Sequence, residues 1–306
     1  MTIMTMTTTR RVGARLLAAS LSLGLVCSVG AVAGAAGRGV IRDERSVSRR
    51  LQFSGTGVRT VDARTISGSI RVTGDSSADV RLDATTKIEA ETDDALRTAQ
   101  REVVVEAQER GSTVEIAVHD AGRPTCGESG NYRSPAWWDR RRYEASVTLT
   151  IRVPRDVRVR LCTVNGGDIT VSGTEGDFDV SNVNGRVALS DVRGSGRATT
   201  VNGGIEASFV EAPRAESQFK TVNGDIAVTL PRNLSADLRL KTFNGDLYTD
   251  FDTVALPATP ERTRRPDLPR LVYRPRGFTN VRIGGGGPEL TFDTLNGDVR
   301  ILRASR

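Results

Sequence analysis

The chain has 306 residues, 5% aromatic side chains, 31 glycines and a formal net charge of +6. That length allows one or two domains and a substantial core, and glycine in this amount suits many tight turns. Residues 1–33 hold three arginines and no acids, so without them the charge falls to +3, which excludes a dedicated nucleic-acid binder. Lys87, Lys220 and Lys241 are the lysines among 43 basic residues, an arginine bias that is not by itself phosphate recognition.

The N-terminus reads as a secretory signal peptide over residues 1–33. Arg10, Arg11 and Arg15 form a basic start, Leu16 to Val32 is apolar, and Ala31-Val32-Ala33 and Ala33-Gly34-Ala35 are small-residue cleavage sites. The apolar run is short for a retained anchor, the alternative reading. Membrane contact is therefore expected only through this peptide before cleavage. Arg10-Arg11 raises twin-arginine export, although Gly13 follows it poorly. Val26 is too bulky for Cys27 to be a lipidation site. The expected location is the periplasm, cell envelope or exterior. Oxidising surroundings favour a disulfide between Cys126 and Cys162, with two separate thiols as the alternative.

Residues 34–54, small and charged, read as a linker. A single domain is expected over 55–303, with insertions at 75–160 and 256–278. Thr92 before Asp93 and Asp94 is an N-cap, and Ala95 to Glu102 suits a helix. Val103–Gln108 and Thr113–Val118 read as strands around a turn at 109–112. Residues 120–142 are irregular, with Gly122, Pro124, Gly127, Gly130 and Pro135. Ala145–Val153 and Val157–Leu161 alternate as strands do, with Pro154 between them.

A phrase then recurs. Its Asn-Gly pairs are Asn165-Gly166, Asn184-Gly185, Asn202-Gly203, Asn223-Gly224, Asn244-Gly245 and Asn296-Gly297. The first five asparagines are 19, 18, 21 and 21 residues apart, a period that marks stacked units too small to fold alone. A degraded copy, Thr65-Ile66-Ser67-Gly68-Ser69-Ile70, matches the Thr163 copy with one extra glycine at 167. Alternation points Ile169, Val171, Phe178, Val180, Val183, Val187, Leu189, Ile205, Ala207, Phe209, Ile226, Val228, Leu230, Leu238 and Leu240 inward. Thr170, Asp177, Asp179, Glu206 and Arg239 face water.

Two architectures fit. In an antiparallel meander each Asn-Gly closes a hairpin. In a parallel β-solenoid of 18–21-residue coils each Asn-Gly turns the same corner. The solenoid is preferred, because stacking at about 4.8 Å gives a reason for residue identity that a meander lacks. The fold class is all-β, with a small α/β elaboration near the N-terminal side. Residues 256–278, rich in proline and arginine, read as a loop rather than a strand pair, after which 281–299 rebuild a terminal coil.

The Thr-Val-Asn-Gly-Asp-Ile phrase, the glycine run 284–287 before Thr-Leu-Asn-Gly-Asp-Val, and the signal peptide together resemble the bacterial β-strand-repeat "putative adhesins". These are domains of unknown function similar to the GIN head domain. The resemblance covers roughly residues 50–302. It implies a right-handed β-helical envelope protein, and it brings no catalytic residues.

The residues themselves offer little chemistry. Asp177 with Asp179, and Asp250 with Asp252, could serve a glycosidase, but the acids after Asn-Gly sit where aspartate bonds nearby backbone. A serine triad would have only His119, beside Asp120. A calcium ladder is broken by Arg186 and Gly204. No enzyme activity, metal or cofactor is expected. The ligand-binding candidate is Trp137, Trp138, Arg140, Arg141, Arg142 and Tyr143, whose rings and guanidinium groups suit sugars or anionic polymers. The competing reading has the tryptophans covering a core end. The expected partner is an envelope polysaccharide or protein. A polysaccharide-active enzyme and an envelope-stress signalling accessory stay open.

Overall fold

The computed structural model describes residues 40–120, 142–257, 262–263, 272–273 and 277–305. Strand β1 is Ile41–Leu51, β2 is Thr60–Arg64, β3 is Ile70–Asp75 and β4 is Val80–Ala90. Helix α1, Asp93–Glu102, starts where expected: the Thr92 hydroxyl accepts from the Ala95 N–H at 3.1 Å. Then come β5 (Val103–Arg110), β6 (Thr113–Asp120), β7 (Tyr143–Pro154), β8 (Arg158–Cys162) and β9 (Ile169–Ser172). They are followed by β10 (Phe178–Ser181), β11 (Val187–Val192), β12 (Gly196–Thr199), β13 (Ile205–Phe209), β14 (Ser217–Lys220) and β15 (Ile226–Leu230). The last are β16 (Ala236–Asn244), β17 (Leu247–Thr249), β18 (Thr253–Ala255), β19 (Arg262–Thr263), β20 (Val272–Tyr273), β21 (Thr279–Ile283), β22 (Glu289–Asn296) and β23 (Val299–Arg303).

Seven coils each give one strand to either of two sheets. The first sheet runs β1-β4-β7-β3-β9-β11-β13-β15-β23-β17, and the second runs β18-β21-β16-β22-β14-β12-β10-β8-β2-β6-β5. Within the repeats the pairing is parallel and in register, Ile70 on Ile169 on Val187 on Ile205 on Ile226 on Val299. The hairpin meander is thereby excluded: each Asn-Gly joins a strand of one sheet to a strand of the other.

The inward series is buried as expected from Ile169 to Leu240 except at Val183, which is only half-buried. Its neighbour Asn182 is buried instead, because it occupies the column that threonine fills in the other coils. Between the sheets Phe178, Phe209 and Phe219 pack at 6.1–6.3 Å between ring centroids, and Phe219 stacks on Phe292 at 5.2 Å.

Four expectations need correcting. The linker reading fails from residue 41, where β1 pairs along its whole length, antiparallel, with β4. Its charged side chains hide a strand because it is an edge strand, held by contacts such as Arg42 with Glu89 at 2.9 Å and Ser48 with Asp83 at 2.6 Å. The 256–278 stretch contains a short antiparallel pair, Arg262–Thr263 on Val272–Tyr273, neither of which includes a proline. The expected extra glycine at 167 stacks on Gly68, whose carbonyl oxygen would lie 2.2 Å from an added Cβ. The additional residue is Gly166, at φ +72° in open space.

The fourth concerns order. The last coil is not terminal: β22 lies between β14 and β16, and β23 between β15 and β17. Asn296 therefore sits between Asn223 and Asn244. Strands β1 and β4 to β7, with α1, form a cap over the first coil. On one sheet β7, β4 and β1 extend past β3; on the other β6 and β5 extend past β2. Helix α1, with Ala95 and Ala99 buried, packs against strands of both extensions and closes the core between them.

Candidate functional site

The repeated phrase builds three parallel ladders along one corner. The asparagine carboxamides donate from each coil to the previous one: Asn184 to Asn165 at 3.0 Å, Asn202 to Asn184 and Asn223 to Asn202 at 2.8 Å, then Asn296 to Asn223 and Asn244 to Asn296 at 2.7 Å. Two residues earlier in each phrase, a hydroxyl donates to the glycine carbonyl of the neighbouring coil. Thr163 reaches Gly68, Thr200 reaches Gly185, Thr221 reaches Gly203, Thr294 reaches Gly224 and Thr242 reaches Gly297, all at 2.8–3.0 Å. Asn182 does the same for Gly167 through its amide. Glycine is needed because the coils touch here: a Cβ on Gly224 would lie 2.2 Å from the Gly203 oxygen.

The third ladder is carboxylate to backbone. Asp168 accepts from the Arg186 N–H at 2.8 Å, Asp225 from Asp298 at 2.9 Å, and Asp298 from Asp246 at 3.0 Å. These aspartates bond the next coil, not their own turn as expected from sequence. Arg300 also holds Asp298 at 2.6 Å and approaches Asp225 at 3.5 Å. The Asp246 amide and the Arg300 guanidinium together hold the Asp298 carboxyl below the usual carboxylate range.

The recognition candidates divide. Trp137, Trp138, Arg140, Arg141 and Cys126 lie outside the described residues. Arg142 is exposed, whereas Tyr143 is 8% exposed and does not belong to a surface patch. As the first residue of β7 it points inward, and its hydroxyl donates to Glu102 at 2.5 Å and to Asp120 at 3.3 Å. Cys162 is disulfide-bonded. His119 meets Glu106 at 2.8 Å on one face of β6 while Asp120 is buried on the other, so the two cannot act together. Among the described residues no group of three or more His, Cys, Asp or Glu is placed to hold a metal.

Sequence reasoning missed a groove of about 450 Å³ on the outer face of the second sheet. Strand register aligns Arg160, Asp179, Arg197 and Gln218 in one row across its floor. Asp177 lines one wall, accepting from Arg158 at 3.2 Å and from the Ser195 N–H at 3.2 Å. The period-2 alternation of each strand carried this signal, but the register that joins the strands did not show in any one of them.

Residues 162–262 match the family model Toastrack DUF4097. That model describes a domain of unknown function. The Toastrack match runs from Cys162, the last residue of β8, through β9, coils three to five and β16–β18 to Arg262. Among solved structures the chain is similar to a "putative cell adhesion protein" from Clostridium sporogenes, at 8% identity and a TM-score of 0.44, covering 86% of this chain and 100% of that one. It is also similar to a "putative adhesin" from Bacteroides fragilis, at 11% identity and a TM-score of 0.34, covering 85% and 97%. No curated protein matches. No helix among the described residues is long and apolar enough to cross a membrane.

Proposed function

We propose that this Toastrack-containing chain is an exported, non-catalytic protein of the cell envelope, a right-handed β-solenoid that binds or scaffolds an envelope polymer or protein. The observation that carries this reading is where the reactive side chains go. The repeat asparagines and threonines are engaged between coils, as are Asp168, Asp225 and Asp298, and Asp177 is held by Arg158 and a backbone N–H. A general acid or nucleophile needs a carboxyl poised for the substrate, not one committed to its own scaffold. The bonded state of Cys162 supports an oxidising compartment, as does the signal-like N-terminus. The row Arg160–Asp179–Arg197 gives an extended polar surface, and the sequence of Trp137, Trp138 and Arg140 to Arg142 keeps them as a second candidate contact.

The test is retention of envelope components by immobilised residues 34–306 at low and moderate salt. Retention of one polysaccharide or protein at both salts, lost in an Arg160→Ala/Arg197→Ala variant, is expected. Retention at low salt alone would mean nonspecific attraction to arginine and would sink the reading.

A further inference from the structure

Strands β1, β4 and β7 carry the first sheet past the first coil, and their register sets each outward side chain opposite another. Across β1 and β4 these pairs match in chemistry. Arg42 faces Glu89 and bonds it at 2.9 Å, Glu44 faces Lys87 at 3.9 Å, Ser46 faces Thr85, and Ser48 faces Asp83 and bonds it at 2.6 Å. The last pair breaks the pattern, because Arg50 faces Arg81. On its other side Arg81 faces Arg152 of β7, although the neighbouring pairs there are Asp83 with Thr150, Thr85 with Thr148 and Lys87 with Ser146. Three arginines therefore stand side by side on three adjacent strands, and all three are exposed. Like charges directly opposite one another, with Cβ atoms about 4.5–5.5 Å apart, destabilise a sheet.

The acids nearby are committed elsewhere. Asp79 takes Arg50 at 3.0 Å, and Asp83 accepts the Ser48 hydroxyl. Asp75 accepts the Ser77 N–H at 2.7 Å and feels Arg81 and Arg152 through the field alone. Among the described residues neither Arg81 nor Arg152 stands in an ion pair, and exposed Arg71 lies diagonal to Arg152, opposite Thr150. The other like-charged pair on these strands, Glu89 with Glu144, is relieved by Arg42. A local rule broken without relief marks a functional position.

The row continues beyond Arg152. Register carries it through Thr73, Ser172 and Ser190, hydroxyls on the next three strands. Thr73 and Ser172 also line a shallow pocket of about 290 Å³, together with Arg155, Asp191 and Arg193. A phosphate ester brings roughly two negative charges and three strong acceptor oxygens, which neighbouring guanidinium forks can share. The hydroxyls and the pocket suit a sugar joined to that phosphate. A lipid surface is gripped by inserted apolar side chains or a longer basic run, and the rest of this row is hydroxyl.

We propose that Arg81 and Arg152, flanked by Arg50, form a phosphate-binding row on the outer face of the first sheet, and that its ligand is a phosphorylated glycan whose sugar lies over Thr73 and Ser172. The repulsion among the arginines keeps the site ready in the empty protein, and the phosphate relieves it. The row lies on the other sheet from the groove at Arg160 and Arg197. It stands on strand register and goes beyond the envelope reading, which rests on the groove and on export.

The probe is phosphomannan, with unphosphorylated mannan as its neutral counterpart, titrated into residues 34–306 by calorimetry at moderate salt. Saturable binding of phosphomannan and none of mannan is expected. Arg81→Glu sets a carboxylate between two arginines, so it should weaken binding at least about tenfold while raising the thermal midpoint of the ligand-free protein. Arg152→Gln, which removes one charge and keeps most of the stem, is the second variant and should move both readouts in the same directions. No binding of phosphomannan, equal binding of mannan, or unchanged binding by both variants overturns the proposal. A midpoint lowered in both variants would make the arginines structural and overturn it as well. Preference for phosphatidylglycerol vesicles over phosphomannan would make the phosphate a lipid headgroup and overturn the glycan. Envelope retention that is lost in Arg160→Ala/Arg197→Ala and kept in Arg81→Glu would leave the earlier reading standing while this one fails on phosphomannan, so the two fail separately.

Discussion

At the scale of single residues, the hydroxyl ladder separates what a threonine does from what its exposure suggests. Thr221 is 2% exposed and donates to Gly203 O at 2.8 Å, whereas Thr242 makes the same bond to Gly297 O from a half-buried position. Thr221→Val keeps the volume but strands a buried carbonyl, so it should destabilise by about 1–2 kcal/mol, with the Thr242→Val loss clearly smaller because water reaches the site. Urea unfolding of the two variants measures the contrast, and equal losses would contradict it. The Asp246–Tyr248 pair gives a pH signature. The Asp246 carboxylate repels a tyrosinate and accepts the phenol proton at 3.3 Å, holding Tyr248 above its ordinary value of 10.0. A raised folded value means that the pair's contribution to stability is fully present below pH 10.0 and is lost as the pH climbs through the folded value. Asp246→Asn should lower the Tyr248 titration toward 10.0, read as the tyrosinate absorbance that Tyr248→Phe removes. The depressed Asp298 carboxyl has the opposite sign: its contribution is present above the ordinary carboxylate value and is lost as the pH falls through the folded one.

At the scale of elements, legibility followed burial. Strands with one face inside wrote themselves as period-2 alternation, and α1 announced its start through Thr92 and the two aspartates after it. Strand β1 did not, because only Leu51 of its eleven residues is buried. A polar edge strand is held by ladder bonds and cross-strand charge, which composition cannot distinguish from a linker. Val183 misled for a related reason. The phrase Thr-Val-Asn-Gly puts an apolar residue at the corner, where the chain is leaving one sheet for the other and alternation no longer tells inside from outside. Tyr143 read as a binding aromatic because arginines precede it, yet it begins β7 and its ring turns inward with that strand. The groove residues were individually visible as outward polar positions, but their assembly depends on register between strands 18 to 21 residues apart. Register is a property of the stack and is written in no single strand.

At the scale of the molecule, the repeat identity that revealed the solenoid also concealed its order. Coils five, six and seven share Thr-x-Asn-Gly-Asp, so any of them could stack on any other with the ladders intact. The chain resolves this degeneracy by leaving β15 for the outer position of β16 and β17, then returning β22 and β23 into the gap. The consequence is a sharp dependence of an earlier segment on a later one. In a solenoid stacked in chain order, losing the last coil trims an end and leaves its neighbours paired. Here, among the described residues, β16 and β17 have β22 and β23 as their only parallel partners, and deletion of residues 289–306 removes both, along with the Asn296 and Gly297 groups that meet Asn244 and Thr242. The antiparallel β21 contact survives on one side of β16, but β17 then loses its one strand partner among the described residues. The deletion should therefore strip hydrogen-exchange protection from the amides of 236–249 while those of 169–209 stay protected, because coils two to four keep both neighbours. Protection retained across 236–249 in the truncated protein would mean that coil seven can dock directly on coil five, and that the intercalated order is a preference among near-equal stackings.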